Sequence, residues 1–162
     1  MTDKWSVQNI RDVPWYDSGP RGHIAQLVED DNTQVGVNVF VIEPGQPQAM
    51  YHWEADQEGF LVLSGEALLI IDGEERTIKQ WDYVHVPPGV SHTRVGAGSG
   101  PCVFLAIGAR EHQAGDGWGA YPVSELAAKH DASAEEETSD AAVAYARFPK
   151  TVKGEFREEW LS

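Results

Sequence analysis

The sequence predicts an all-β protein, a jelly-roll β-barrel with a short C-terminal helical extension. Three observations predict it. From about Ile24 to Arg110 the chain is a series of short runs rich in Val, Ile, Leu and aromatic residues, cut by Gly and Pro at the spacing of an all-β domain. Within that series Ser64-Gly65 and Asp72-Gly73 read as hairpin turns between apolar runs, which makes the middle of the chain a meander. After Arg110 the pattern shifts to a Gly-rich connector and then to helical spacing.

Taken in order, the strand candidates are residues 23–29, 34–43, 49–54, 58–63, 66–71, 74–79, 83–86, 91–95 and 102–109. So many short strands favour closure into a barrel or a two-sheet jelly roll, because both limit exposed sheet edges. Gly115, Gly117 and Gly119 form the connector, and Pro122 to His130 reads as a short helix with its acid early and its bases late. A second helix is expected from about Asp140 to Arg147, capped by Ser139 or Asp140 and stopped by Pro149. The polar stretch from Ala132 to Thr138 between them reads as a solvated loop, and the aromatic end at Trp160 as a clamp onto the barrel or a partner subunit. With 162 residues and no internal repeat, one domain is expected over 1–162, its barrel core at about 23–110 and its extension at about 116–162.

Charge narrows the partners. Against 26 acidic residues stand 12 basic ones, a formal net charge of −14, and the basic residues are scattered. Such a field repels phosphate backbones and anionic lipid surfaces, so neither nucleic acid nor membrane is an expected partner. The opening MTDKWSVQNIRDVPW lacks the apolar core of a secretory signal, and the longest apolar runs are too short to span a bilayer, so a cytoplasmic location is expected. The single cysteine, Cys102, lies in the apolar run Cys102-Val103-Phe104-Leu105-Ala106-Ile107 and reads as a buried small hydrophobe rather than a nucleophile.

The chemistry-bearing stretch runs from Gly45 to Gly65. His52 and Glu54 are two apart on a strand candidate and project from the same face. Glu58 follows a short polar turn, Ala55-Asp56-Gln57, that lets the next strand return a carboxylate toward the pair. Downstream, Pro87-Pro88-Gly89-Val90-Ser91 sets His92 just after a rigid turn. A lone histidine on a strand is usually structural and an acidic surface pair usually just solvated. Two histidines and two carboxylates in one spaced pattern, in a chain with six histidines, instead point to a metal site.

These segments resemble the two cupin motifs over roughly residues 34–108. Gly45, His52, Glu58 and Gly65 fall in register with the first motif, and Pro87, Gly89 and His92 with the second. Two residues depart from it: Glu54 stands where the family usually has a second histidine, and Trp81 where the second motif usually begins with Gly. The resemblance implies a small single-domain cupin holding one divalent metal ion, with His52, Glu54, Glu58 and His92 as ligands. Imidazole and carboxylate together suit Zn, Fe, Mn, Ni or Co. Glu54 is read first as a ligand; if it does not bind, it becomes a carboxylate beside the ion, able to orient a water or act as a general base. His23, His85, His112 and His130 lie outside the motif spacings and read as surface or packing residues.

Strand parity nominates the pocket. Arg94 shares parity with His92, and Phe60 and Val62 share it with Glu58. An inward Arg94 would clamp the carboxylate or enolate of a small acid, whereas an outward one would pair with a surface acid. Asn38, polar within an apolar strand, would line the cavity or hold a bonded place at a strand edge. Phe104 would pack at the pocket base or take an ordinary core position, and Trp53 and Trp81 would seal the barrel or a dimer face. The resemblance makes a homodimer the default.

Three functions fit these residues. The first is a metal-dependent enzyme on a small organic substrate, of oxygenase, isomerase or decarboxylase type. The second is a non-catalytic module that binds or senses a small ligand or metal, and the third a metal-free structural barrel. An accessible, polar-lined cavity at the ligands separates the first from the others.

Overall fold

The computed structural model describes residues 5–28, 34–112 and 117–161. Gly115 of the expected connector and Glu29 of the first strand candidate lie outside the described residues. The alternating apolar runs become strands close to their expected limits: β1 Trp15–Asp17, β2 His23–Gln26, β3 Val35–Ile42, β4 Trp53–Glu54, β5 Glu58–Ser64, β6 Glu66–Ile71, β7 Glu74–Lys79, β8 Tyr83–Val86, β9 His92–Ala97, β10 Cys102–Ala109, β11 Gly119–Ala120 and β12 Val152–Gly154. Two short helices, α1 Glu125–Ala128 and α2 Ala141–Ala144, lie between β11 and β12. Among the described residues no helix is long and apolar enough to cross a membrane.

The strands form a seven-stranded sheet in the order β12-β1-β2-β3-β10-β5-β8, a three-stranded sheet β7-β6-β9 and a ribbon β11-β4, with antiparallel pairing throughout. The sheets do not close into one hydrogen-bonded cylinder, so the jelly roll is the realised form. Their inner faces meet in one core: Ile42, Phe60, Val62, Phe104 and Ala106 from the larger sheet pack with Ala67, Leu69 and Ile78 from the smaller. Cys102 is fully buried in that core, and burial pushes its thiol up to about 11.

The hairpin turn at Asp72-Gly73 is realised between β6 and β7, but Ser64-Gly65 is not a hairpin: it carries the chain from β5 in the larger sheet to β6 in the smaller, so the expected meander is broken there. At Gly65 the backbone has φ +77°, and a Cβ there would stand 2.2 Å from the carbonyl oxygen of Pro101, so only glycine fits. Trp81, where the resemblance expects glycine, also adopts a left-handed backbone, at φ 75°, and the residue is 67% exposed. The turn thus keeps the glycine conformation while carrying a bulky residue that gains little by packing.

Four further expectations need correction. The strand expected at 49–54 shrinks to β4, because the backbone before it bonds to the C-terminal segment: Met50 N–H donates to the Tyr145 hydroxyl and Tyr51 N–H to the Ala132 carbonyl. The helix expected over 122–130 is one turn, α1, since Ser124 is its extended N-cap and Asp131 turns the chain left-handed beyond it. The helix expected over 140–147 is also one turn; Asp140 is the cap, its carboxylate accepting from Ala142 N–H at 2.8 Å, and Tyr145 already leaves helical geometry. The stretch from Ala132 to Thr138 is solvated only in part: Ala132, Ser133 and Ala134 are buried, because their small side chains fit between α1, α2 and the barrel.

The two ends of the described chain meet in one place. β12 pairs with β1, and Trp160, 2% exposed, packs its ring 4.8 Å from Trp15 beside Phe156. The aromatic end therefore clamps onto the barrel, and β1 and β12, too short to show period-two patterning, extend the larger sheet.

Trp160→Ala is expected to cost about 3 to 5 kcal/mol, the usual penalty for emptying a buried aromatic site, read as a shift in the urea midpoint at unchanged slope. Trp81→Gly should act in the opposite direction, stabilising by about 1 kcal/mol through release of the left-handed strain. In a thiol-reagent titration at pH 8, Cys102 should stay silent in the native protein and react stoichiometrically in denaturant.

Candidate metal centre and its cavity

His52 sits just ahead of β4 and His92 opens β9, and their backbones face each other in an isolated antiparallel bridge. His52 N–H donates to the His92 carbonyl at 3.1 Å and His92 N–H to the His52 carbonyl at 2.8 Å. This non-local pair sets the two rings side by side, with centroids 4.8 Å apart. Each ring is then fixed by its own Nδ1: that of His52 lies 2.7 Å from the Met50 carbonyl, and that of His92 3.0 Å from the Val90 carbonyl. A carbonyl can only accept, so Nδ1 carries the proton and both Nε2 atoms present lone pairs.

Glu58, the first residue of β5, brings its carboxylate to the same point, Oε2 standing 2.9 Å from His92 Nε2. His92 is 0% exposed, yet its Nε2 and the Glu58 Oε2 both lack a hydrogen-bond partner. Buried polar atoms left facing each other in this way are costly unless something bridges them. One ligand atom each from His52, Glu58 and His92 lies within 4.8 Å of the others, so the donor set fits a divalent cation. Burial on its own would raise the Glu58 carboxyl, but His92, Arg94 and His52 outweigh it and hold the group at about 2, ionised. Burial pushes the His92 imidazole down, against the pull of Glu58, and so favours the neutral form that can ligate.

Glu54 comes close without joining that trio. Its Oε1 lies 3.4 Å from His52 Nε2, on the cavity side, so the shared strand face expected for His52 and Glu54 is realised. A second grouping, Asp56, Glu111 and His112, lies nearby, but both Asp56 oxygens are already engaged by His112, at 2.7 Å from Nδ1 and 2.9 Å from the backbone N–H. The exposed His85 faces Gln57 and the half-buried His130 faces Glu75, in keeping with surface roles.

A cavity of about 280 Å³ opens beside the trio. Its floor follows from two cross-strand rows of the larger sheet: Asn38, Ala106 and Phe60 in one, Gly36, Gly108 and Glu58 in the next. Alanine and glycine at the middle of these rows leave the volume that larger strand residues would fill. Asn38 therefore lines the cavity, its Oδ1 buried without a partner. Arg94 points inward as well. It is 2% exposed, its guanidinium lies 3.5 Å from the centroid of the Phe60 ring, and one nitrogen donates to Gln48. Phe104 does not line the cavity; it lies in the core beneath, 5.1 Å from the Arg94 guanidinium carbon.

The opposite wall comes from residues no local motif marked. Trp118, Tyr121 and Tyr145, all C-terminal to the barrel strands, line the cavity, with the Tyr121 ring 5.8 Å from that of His52. They are carried there by the β11–β4 ribbon and by α2, while Arg21 lies 4.6 Å over the Tyr145 ring. Burial raises both phenols above their ordinary range, so they stay protonated. The available sequence signal was small residues at cavity parity, Gly36-Val37-Asn38 and Ala106-Ile107-Gly108, in strands that are otherwise bulky.

Comparison with known proteins agrees with this geometry. The family model for the cupin domain matches residues 38–108, the span that contains the whole trio. The chain carries a cupin domain. No curated protein matches it in sequence. Among solved structures, this cupin is similar to a sugar phosphate isomerase of the cupin superfamily from Silicibacter pomeroyi, at 26% identity and TM-score 0.52, over 56% of this chain and 60% of that one. The match thus spans only about three fifths of the length of that isomerase. It also shares its fold with a predicted oxalate decarboxylase from Thermotoga maritima (22% identity, TM-score 0.58, 64% of this chain and 98% of that one). The polyketide cyclase RemF from Streptomyces resistomycificus has the fold too (18% identity, TM-score 0.57, 66% and 81%).

The orphaned amide oxygen yields a test of how far the cavity is built for a ligand rather than for stability. Asn38→Leu should stabilise the protein by about 1 kcal/mol, as expected when a buried polar atom without a partner is removed; thermal melts of the two proteins would show it.

Proposed function

We propose that this cupin is a metal-dependent enzyme acting on a small organic molecule, of the isomerase, decarboxylase or oxygenase type. The observation that carries the reading is the convergence of two Nε2 lone pairs and a buried carboxylate at the wall of a polar cavity. A structural or storage site would be closed by further protein ligands, whereas here His52 and Glu58 face open volume. A divalent ion held by His52, Glu58 and His92 would supply a Lewis acid with positions left for substrate oxygens.

The chain's own residues then divide the remaining work. Glu54 stands on the cavity side of His52, where a carboxylate can accept a proton from bound substrate or water. Tyr121 and Tyr145, kept protonated by burial, can donate hydrogen bonds to substrate oxygen. Phe60 and Trp118 limit the water that reaches the site. The similarity to a sugar phosphate isomerase supports proton-transfer chemistry within this range. We further propose that the chain acts in the cytoplasm as a homodimer, with the barrel and its C-terminal segment working as one unit around the cavity.

Elemental mass spectrometry of untagged protein, loaded separately with Fe, Mn, Ni, Co and Zn, tests the reading. The wild type should hold about one ion per chain, His52→Ala, Glu58→Gln and His92→Ala should each lose it, and Glu54→Gln should keep it. Loss with Glu54→Gln would make Glu54 a fourth ligand; no stoichiometric metal in the wild type would sink the proposal.

A further inference from the structure

Arg94 sits in the cavity wall with more hydrogen-bonding capacity than the protein uses. Its side chain is almost wholly buried, Gln48 takes one donor, and Nε and Nη1 have no partner. Among the described residues no carboxylate forms an ion pair with it. A guanidinium stays protonated at neutral pH, so Arg94 is a cation in this wall. A buried cation with idle donors is expensive unless an anion meets it.

Charge balance indicates what that anion is. Glu54 and Glu58 together carry the charge that a divalent ion would neutralise, and Asp56 is committed to His112. With the other lining arginine, Arg110, engaged by an interaction of its own, Arg94 leaves the cavity with one excess positive charge, which a monoanion balances and a dianion overshoots. The volume, about 280 Å³, is at the lower end for ligand pockets and suits an acid of a few carbons. The lining's other cation, Arg110, has an interaction of its own, and the rest is rich in groups that bond neutral oxygens, namely Asn38, Gln48, Tyr121 and Tyr145.

We infer that the cavity is a site for a small hydroxy- or oxo-carboxylic acid in its monoanionic form, its carboxylate seated on the free edge of Arg94 and its second oxygen directed toward His52 and Glu58. Gln48 is the positioning residue: it holds one guanidinium nitrogen, and Phe60 supports the planar face, so the idle donors keep a fixed direction. The inference rests on the metal reading for the second oxygen but on Arg94 alone for the carboxylate.

The two parts separate in one calorimetric experiment. Glycolate, its neutral amide glycolamide and inorganic phosphate are titrated into untagged protein, once loaded with the best-retained metal and once stripped by chelator, with metal content measured for every sample. Glycolate should bind at least ten-fold more tightly than glycolamide, and Arg94→Met should abolish that preference with metal content unchanged, while Arg94→Lys restores part of it. A preference that survives in stripped protein and still depends on Arg94 upholds the carboxylate seat even if the metal reading fails. Equal binding of glycolate and glycolamide, tighter binding of phosphate, or an unchanged preference in Arg94→Met would overturn the inference. Should Arg94→Met fail to fold, the Arg94 Nε–H resonance of the wild type decides: it should shift on adding glycolate and not glycolamide, and an unmoved resonance refutes the seat.

Discussion

The site depends on one pair of backbone hydrogen bonds, those exchanged between His52 and His92. They join segments forty positions apart in sequence and fix two imidazoles on the same side of the barrel wall. Everything else at the centre is arranged around that pair. The Nδ1 contacts to local carbonyls select the tautomer, Glu58 completes the trio from the start of β5, and burial keeps His92 neutral. Had the bridge been shifted by one residue, the period-two alternation of strands would have turned one ring to the face opposite the other.

The cavity is made by subtraction. A jelly roll of this size would fill its interior with bulky strand residues, as it does around Ile42, Val62 and Leu69. Gly36, Ala106 and Gly108 interrupt that packing in adjoining cross-strand rows, and the emptied volume receives Arg94, Asn38 and the Glu58 carboxylate. The C-terminal segment then turns an open trough into a pocket. The hydrogen bonds that its Tyr145 hydroxyl and Ala132 carbonyl accept from the Met50 and Tyr51 backbone take the place of strand pairing just before His52, so one set of contacts shapes the ligand loop and also delivers the tyrosines.

Stability and ligand binding oppose each other in the same few residues. Asn38, Arg94 and Glu58 all hold buried polar atoms without partners, and each would be less costly as an apolar side chain of similar volume. The surrounding framework carries that cost through its aromatic clamp at Trp15, Phe156 and Trp160 and through the core between the two sheets. Trp81 is a different kind of cost, an exposed left-handed residue, and nothing in the structure explains its choice over glycine.

Alternating apolar runs and turn dipeptides determined most strand limits directly; β6, β7, β8 and β10 begin and end at the residues their patterns indicate, because each lies between strong local turn signals. The spacing of His52, Glu54, Glu58 and His92 likewise marks the candidate ligands by local pattern alone. Parity brought Arg94 inward, because Arg94 follows His92 by two on one strand. What only the tertiary structure decided was non-local. Which of four candidate ligands converge depends on the His52–His92 bridge, and Glu54 stays outside the trio although its spacing is as good as that of His52. The pairing of β1 with β12 and the closing of the cavity by Trp118, Tyr121 and Tyr145 join distant segments through contacts that leave no periodic trace in either partner. Local patterns encode which face a side chain takes; which segment meets that face is set by the packing of the whole chain.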